Sequence, residues 1–183
     1  RRVLFRSKFL WSPFLEIFKT KKFFVVLTQI VTGVGFGLVA LSLQLPSFFA
    51  VCIALLAIIA FSGATHDIAT DGVYMSELNK QEQAKYIGWQ GAFYNIAKIV
   101  ASGGLVWLAG WLLTKFNEGG GAEAQQEATV KAWMTVMLIL GGVMLLLGFY
   151  HARILPSGGK QEEVQQYTAS ETLKRLLEVI GDF

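Results

Sequence analysis

Charged side chains are scarce in this 183-residue sequence, and one long stretch has none at all. Asp, Glu, Lys and Arg make up 16% of the residues, against roughly 25% in globular proteins. The 44 residues of 23–66 contain none of them, and the mean hydropathy of the chain is +0.49. Because about 20 apolar residues span a bilayer as one helix, this composition excludes a soluble enzyme. Since the alternating ten-residue strands of a membrane β-barrel are also missing, we predict an all-α protein, a polytopic transmembrane helical bundle.

Cysteine is nearly absent too, so a disulfide within the chain is impossible. The single Cys52 lies in an apolar run, and we expect a buried, inert thiol. The sequence also lacks an initiator methionine and the layout of a signal peptide, and its first seven residues fit no pattern. We therefore expect the chain to be part of a longer protein, and we predict no cofactor.

The uncharged run is long enough for two helices and contains a turn signal, Gln44-Leu45-Pro46-Ser47. A break there predicts an antiparallel helical hairpin. A third apolar span is interrupted only by Lys98, and a fourth carries no charge. Residues 23–150 are thus predicted to hold four transmembrane helices, at about 23–43, 47–66, 86–114 and 132–150.

Two polar segments flank these spans. Residues 1–22 are predicted to form the end of an earlier helix, over Phe9–Phe18, followed by a basic loop. Residues 151–183 are predicted to be a linker. Within it, Thr168 and Glu171 have the spacing of a capping box, and apolar residues follow at the spacing of one helix face. This pattern predicts an amphipathic helix on the surface of the bundle or the bilayer.

Lysine and arginine lie mostly on one side of the predicted spans. Residues 1–22 carry seven, 67–85 two and 151–183 four, whereas the opposite loops at 44–46 and 115–131 carry none and two. Cytoplasmic loops are enriched in these residues, so both termini are predicted to be cytoplasmic. In a membrane protein this asymmetry matters more than the net charge of +3, and no nucleic-acid partner is expected.

Small residues recur in pairs within the spans. They let helix backbones approach closely and also permit bending, and close packing explains most of them. The pairs are Gly33–Gly37, Gly88–Gly91, Gly103–Gly104 and Gly141–Gly142. In the first span, Gln29 and Thr32 are expected to reach a cavity.

Lys98 lies near the middle of the third span, about 18 Å along the helix from Tyr86. A lysine at the bilayer centre costs about 2.5–3.5 kcal/mol on insertion scales. Polar side chains recur there at four-residue intervals and form one stripe. The stripe consists of Gln90, Tyr94, Lys98 and Ser102, and Asn95 lies one turn before Lys98.

Because a polar stripe in lipid must face protein or water, this helix is predicted to line a cavity. We predict that Lys98 binds an anionic group of the substrate there, together with Tyr94, Gln90 and Asn95. Two alternatives remain open for Lys98: a buried pair with an acid elsewhere in the protein, and a lysine of shifted pKa that relays protons.

His66, Asp67 and Asp71 close the second span at its predicted cytoplasmic boundary. Two carboxylates at i and i+4 share a helix face and repel unless a cation or a proton intervenes. One interpretation of the cluster is gating or proton coupling. Another is a set of solvated interfacial residues that pair with the lysines of residues 19–22, and a third is a magnesium-diphosphate site.

Three segments resemble the major facilitator transporters. KFLWSPFLE (8–16), with the lysines after it, resembles the cytoplasmic loop between helices 2 and 3, most of all in the AmpG-like muropeptide permeases and their acetyl-CoA-transporter relatives. SGATHDIATD (62–71) is similar to the signature that ends helix 4 in that group, and GWQGAFYNIAKI (88–99) then occupies helix 5. On this mapping the chain covers the end of helix 2 through helix 6, part of the N-terminal six-helix half. Glu16 stands where an aspartate is usual, and His66 where glutamine is common.

This resemblance implies alternating access, in which two six-helix halves rock around a mid-membrane site, usually driven by the proton gradient. It adds Glu16 to His66, Asp67 and Asp71 as a candidate residue for gating or proton coupling. We therefore predict a secondary active transporter, not an enzyme, that moves a small anionic or sugar-peptide solute across the bacterial inner membrane. Its expected partners are the solute, the lipid bilayer and the remaining helices of the full-length transporter.

Two other classes of protein fit the sequence less well. A membrane-embedded enzyme would act on a phosphorylated lipid through His66, Asp67 and Asp71, and would need further charged residues at the same depth. A structural subunit would not be expected to carry an unpaired ionisable residue in mid-bilayer, so Lys98 argues against it.

Overall fold

The computed structural model describes residues 20–117, 119 and 121–158, and this part of the chain forms four long helices. They are α1 (Lys21–Ser42), α2 (Phe48–Glu77), α3 (Lys80–Phe116) and α4 (Ala122–Ile154). Each is long and apolar enough to cross a membrane, and the described residues contain no strand. The predicted all-α, polytopic fold class is therefore confirmed. The predicted helix end at Phe9–Phe18 and the predicted amphipathic helix after Thr168 lie outside the described residues.

The helices extend beyond the apolar spans that predict them. α2 continues for 11 residues after His66, α3 begins at Lys80, and α4 begins at Ala122, ten residues before the predicted span. Hydropathy marks only the part of a helix that suits hydrocarbon, whereas backbone hydrogen bonding continues into polar sequence. At the start of α3, Asn79 and Glu82 form a capping box that satisfies the first N–H groups.

α1 lies between α2 and α4 and packs extensively on both. The backbones of α1 and α4 touch where Gly33 faces Gly141: a Cβ added at Gly141 would lie 2.7 Å from the carbonyl oxygen of Gly33. On the α2 side, a Cβ at Gly35 would lie 2.8 Å from Cγ1 of Ile59. Glycine at these three positions lets the helices approach closely. The expectation that close packing explains most of the predicted pairs is wrong within the described residues, because an added Cβ would meet nothing within 4 Å at Gly37, Gly88, Gly91, Gly103 and Gly142.

The segment after α4 ties together the helix ends that surround Lys21, which we call the Lys21 end of the bundle. The N–H of Gly158 donates to Oε1 of Glu77 at 2.9 Å. Gly158 is buried with φ +80°, and a Cβ there would lie 2.9 Å from Cβ of Lys21 and 3.0 Å from Cγ2 of Val73. The start of the linker is thus fixed against α1 and α2.

α3 is divided into two halves by a π-helical turn. Lys80–Ile99 (the amino half) and Leu105–Phe116 (the carboxyl half) are α-helical, and Val100–Gly104 between them is π-helical. The amino half contains no buried residue, whereas the carboxyl half buries Ala109 and Leu112 against α4. The two halves of one helix therefore differ in how they are held.

Large apolar side chains cover much of the outer surface. Phe49, Phe61, Trp107 and Leu146 are each more than half exposed. An apolar surface of this extent is unfavourable in water and marks a region of contact with protein or membrane.

Candidate functional site

Lys98 lies at the middle of α3 and is exposed. It is the nineteenth residue of this 37-residue helix, and the π-helical turn begins two residues after it. Among the residues that the structure describes, none forms an ion pair or a hydrogen bond with its ammonium. A charged amine at this depth needs water, an anion or an acid beside it, and the described helices do not supply the acid.

The other predicted substrate-binding residues lie on the same stretch of the amino half. Gln90, Tyr94 and Asn95 are all exposed, and the side-chain amide of Asn95 donates to the carbonyl oxygen of Gly91 at 2.9 Å. The structure therefore brings the four residues together on one helix segment. It does not enclose them, because the packing of α3 on α4 falls on the carboxyl half.

Ser102 belongs to the predicted stripe but is engaged by its own helix. Its hydroxyl donates to the carbonyl oxygen of Lys98 at 2.8 Å. A serine hydroxyl that donates to the carbonyl oxygen four residues back gives this carbonyl a second donor besides the backbone N–H. Such a bond often bends the helix. Its contact here is with the backbone of Lys98 rather than with the cavity predicted from the sequence.

His66 faces α1 rather than a neighbouring carboxylate. Its Nδ1 lies 3.0 Å from the hydroxyl of Thr28 on α1, and its Nε2 lies 3.4 Å from the hydroxyl of Thr70. The side chain is half-buried. His66 thus belongs to the contact between α1 and α2, and it lies well inside α2 rather than at its end.

The two aspartates next to His66 occupy different surroundings. Asp67 is exposed and Asp71 is half-buried. The aliphatic part of Lys21 passes beside Gly72, the residue after Asp71: its Cδ lies 3.0 Å from the position that a Cβ would take at Gly72. Glu16, the fourth candidate for gating or coupling, lies outside the described residues.

A metal site is the remaining interpretation of this cluster. Over residues 20–117, 119 and 121–158, no group of three or more His, Cys, Asp or Glu side chains is placed to hold a metal ion.

A set of buried polar contacts, which we call the polar core, joins three of the helices. The sequence analysis did not predict these contacts. Thr32 of α1 donates to the hydroxyl of Ser62 at 3.1 Å, and Ser62 donates to the carbonyl oxygen of Thr28 at 3.0 Å. On the other side of α1, the side-chain amide of Gln29 lies 2.9 Å from Nδ1 of His151 on α4. Gln29 and Thr32 are only 3% and 7% exposed, so the expectation that they reach a cavity is wrong.

One sequence signal for this polar core was present. Ser62 and His66 repeat at four-residue spacing on α2, and Thr28 and Thr32 do the same on α1, which places each pair on one helix face. In uncharged spans, such faces meet other helices because a polar group in hydrocarbon needs a partner. His151 follows the predicted fourth span and gave no comparable signal.

These features define the class of protein: a multi-pass membrane protein of packed helices, with a lysine at mid-helix that has no partner among the described residues. A sequence profile described as the Major Facilitator Superfamily matches residues 6–178. The chain therefore belongs to the Major Facilitator Superfamily, whose members are in general secondary transporters of small molecules rather than enzymes. Comparison with curated proteins and with solved structures gave no match.

Proposed function

We propose that the protein is a proton-coupled secondary transporter of a small solute with an anionic group, and that Lys98 binds this group. The observation that carries the proposal is the Lys98 ammonium at the middle of α3, without a partner among the described residues. Transport by alternating access needs a binding site near mid-membrane that both sides reach in turn. The position of Lys98 along α3 meets this requirement.

Either a bound anion or a permanent ion pair within the protein could stabilise a lysine at this depth. A lysine at the bilayer centre costs about 2.5–3.5 kcal/mol, and this cost is tolerated where a water-filled cavity or an anion stabilises the charge. A permanent acid partner would serve equally well for stability, but it would compete with an anionic solute. The two explanations therefore make opposite predictions for the accessibility of Lys98.

The neighbours of Lys98 favour a polar organic solute over an inorganic anion. Gln90 and Asn95 offer amide donors and acceptors, and Tyr94 offers an aromatic face, on which the apolar face of a sugar packs well. All three are exposed on the same helical stretch. Together with the resemblance of residues 8–16 and 62–71 to AmpG-like permeases, this makes a muropeptide the first solute to test.

The proposed coupling groups are His66, Asp67 and Asp71, with Glu16 in the preceding loop. Two carboxylates at i and i+4 on one helix face repel each other unless a cation or a proton intervenes. Asp67 and Asp71 are one helical turn apart, and Lys21 passes beside Gly72, the residue that follows Asp71. A change in the protonation of this pair would alter contacts at the Lys21 end of the bundle.

The role of Lys98 is tested by muropeptide uptake into proteoliposomes that contain the whole protein. Loss of a hydrogen bond to a charged group costs about 1.5–3 kcal/mol, so Lys98→Gln is expected to lower kcat/KM roughly 10- to 150-fold. Lys115→Gln, the same change near the end of the same helix, serves as the matched control and should transport normally. Uptake by Lys98→Gln at the wild-type rate would remove Lys98 from the site.

A second measurement does not depend on the identity of the solute. With Cys52→Ser as background, Lys98→Cys is expected to react with the water-soluble reagent methanethiosulfonate ethylsulfonate in membranes. Lys115→Cys is the positive control for labelling. Protection of position 98 under all conditions would show that water does not reach the side chain and would overturn the proposed aqueous site.

The coupling role is tested by changing each aspartate separately. Asp67→Asn or Asp71→Asn is expected to abolish uptake driven by a pH gradient and to preserve exchange of labelled for unlabelled muropeptide, because exchange needs no net proton movement. Unchanged gradient-driven uptake in both variants would exclude the pair from coupling.

A further inference from the structure

Gln29 of α1 and His151 of α4 form a contact that suits two protonation states of the histidine. Nδ1 of His151 lies 2.9 Å from Nε2 of Gln29 and 3.0 Å from Oε1 of the same amide. An unprotonated Nδ1 accepts a hydrogen bond and a protonated Nδ1 donates one, and an amide offers both a donor and an acceptor. Either form of the ring therefore has a partner atom within 3.0 Å.

Close packing between α1 and α4 holds these two side chains together. Gly148 lies three residues before His151, and a Cβ there would lie 3.5 Å from Cβ of Gln29 and 3.5 Å from Cγ1 of Ile30. Gln29 is buried in this interface, where an amide that lost its partner would be costly. The contact thus belongs to two described helices that pack on each other.

His151 lies where water can exchange a proton with it. The side chain is half-buried and lies three residues before the end of α4 at Ile154, at the Lys21 end of the bundle. A charged histidine in the last turn of a helix is stabilised by the carbonyl groups that end the helix. Imidazole is also the side chain that ordinarily changes charge between pH 5 and pH 8. The position and the chemistry of His151 therefore both suit reversible proton binding.

The charged groups around His151 connect it to the proposed coupling groups. At this end of the two helices the basic residues are Lys21 and Lys22 of α1 and Arg153 of α4. The carboxyl half of α3 packs on α4 at Ala132 and Val136, 15 or more residues before His151. His66 of α2, next to Asp67, lies close enough to His151 to interact with it electrostatically. Because like charges repel, a proton on His66 favours release of a proton from His151.

We propose that His151, held by Gln29, is the residue at which the coupled proton exchanges with water at the Lys21 end. The proton binds at Nδ1, and Gln29 then changes from a donor, through Nε2, to an acceptor, through Oε1. Release of the same proton to water reverses both changes. The inference rests on the proposed function, to which it adds a coupling residue on the side of α1 opposite to His66.

Solid-state NMR of the whole protein in proteoliposomes, labelled with ¹⁵N-histidine, measures this proton directly. The signals of His151 are identified by their loss in His151→Gln. We expect the Nδ1 signal of His151 to change from the unprotonated to the protonated form between pH 8 and pH 5. A ring that stays in one form over this range would overturn the inference.

Uptake of muropeptide by His151→Gln tests the role in coupling. Glutamine at this position can still bond to the amide of Gln29, but it binds no proton. We expect the variant to lose the stimulation of uptake by a pH gradient and to keep the exchange of labelled for unlabelled muropeptide. The matched control, Arg153→Gln, removes a permanent charge from the same turn of α4 and should keep the stimulation.

Three results would overturn the role of His151 in coupling. They are stimulation of His151→Gln at the wild-type level, an equal loss in Arg153→Gln, and loss of exchange together with stimulation, which would assign His151 a structural role. Each of these presupposes wild-type uptake that a pH gradient stimulates. Wild-type uptake without such stimulation would instead refute the proposed function itself, so the two failures are distinguishable.

Discussion

The contact between α1 and α4 makes a sharp prediction, because two adjacent glycines of α4 differ only in what lies beside them. A Cβ at Gly141 would lie 2.7 Å from the carbonyl oxygen of Gly33 and 3.4 Å from the backbone nitrogen of Gly37, whereas a Cβ at Gly142 would meet nothing within 4 Å. Ordinary van der Waals contact begins near 3.4 Å. Gly141→Ala therefore requires the two helices to separate by about 0.7 Å at the crossing.

The size of the effect follows from the atoms involved. The overlapping atoms belong to backbone, which cannot rotate away as a side chain can, and overpacking of this kind costs about 1–3 kcal/mol. Both alanines gain the same helix propensity, up to about 1 kcal/mol relative to glycine. The difference between Gly141→Ala and Gly142→Ala therefore isolates the overlap, and we expect Gly141→Ala to be less stable by about 1–3 kcal/mol.

Unfolding of the purified protein in SDS, followed by far-UV circular dichroism, measures this difference. The reciprocal comparison on α1 is Gly33→Ala against Gly37→Ala, and the first should again be the less stable, because a Cβ at Gly33 would lie 3.0 Å from the carbonyl oxygen of Gly141. Equal stability within each pair of variants would refute the crossing at these glycines. So would a larger loss at the open position of either pair.

Two further changes test the polar core. Ser62→Ala removes the hydroxyl that joins α1 and α2 and should cost about 0.6 kcal/mol, at most about 1.7; Ser76→Ala, whose hydroxyl bonds only to its own helix, should stay within about 0.5 kcal/mol of wild type. His151→Phe leaves the amide of Gln29 buried without its partner and should cost about 1–3 kcal/mol in unfolding free energy. Adding Gln29→Leu should recover most of that loss, and additive losses in this double-mutant cycle would show that the two side chains do not interact.

The helical class of the protein could be predicted from the sequence because one physical requirement dominates it. In hydrocarbon every backbone N–H and C=O needs an internal partner, so uncharged stretches of about 20 residues form helices. The break between the first two helices at Gln44–Ser47 could be predicted equally well, and in the structure α1 ends at Ser42 and α2 begins at Phe48. Both signals are local, and neither depends on how the helices later rotate against one another.

The choice between neighbouring glycines could not be predicted in the same way. The sequence presents Gly33 with Gly37 and Gly141 with Gly142 as equivalent small residues, yet only the first of each pair lies at the helix crossing. Which face of a helix meets its neighbour depends on the rotation of both helices and on their crossing angle. The hydrogen bond between Gln29 and His151 was hidden for the same reason.

The π-helical turn was hidden for a different reason. Ser102, Gly103 and Gly104 are compatible with close packing, with a kink and with a regular helix, so the sequence alone does not separate these outcomes. The structure does, because it finds open space where packing would require a neighbour. Gly88 and Gly91 lie in similar open space without a π turn, so glycine by itself is not the signal.

Hydrogen-bond satisfaction distinguishes structural polar residues from functional ones in this bundle. Within the part of the chain that the structure describes, every buried side-chain nitrogen and oxygen has a partner. Thr28, Gln29 and Ser62 are accounted for in this way, and their role is to hold α1 between α2 and α4. Lys98 is not, since its charge lies at the middle of a membrane-length helix and none of the described residues pairs with it. Because such a charge is too costly to leave without water, an acid or an anion, we propose Lys98 as the position at which an anionic ligand contributes most to binding.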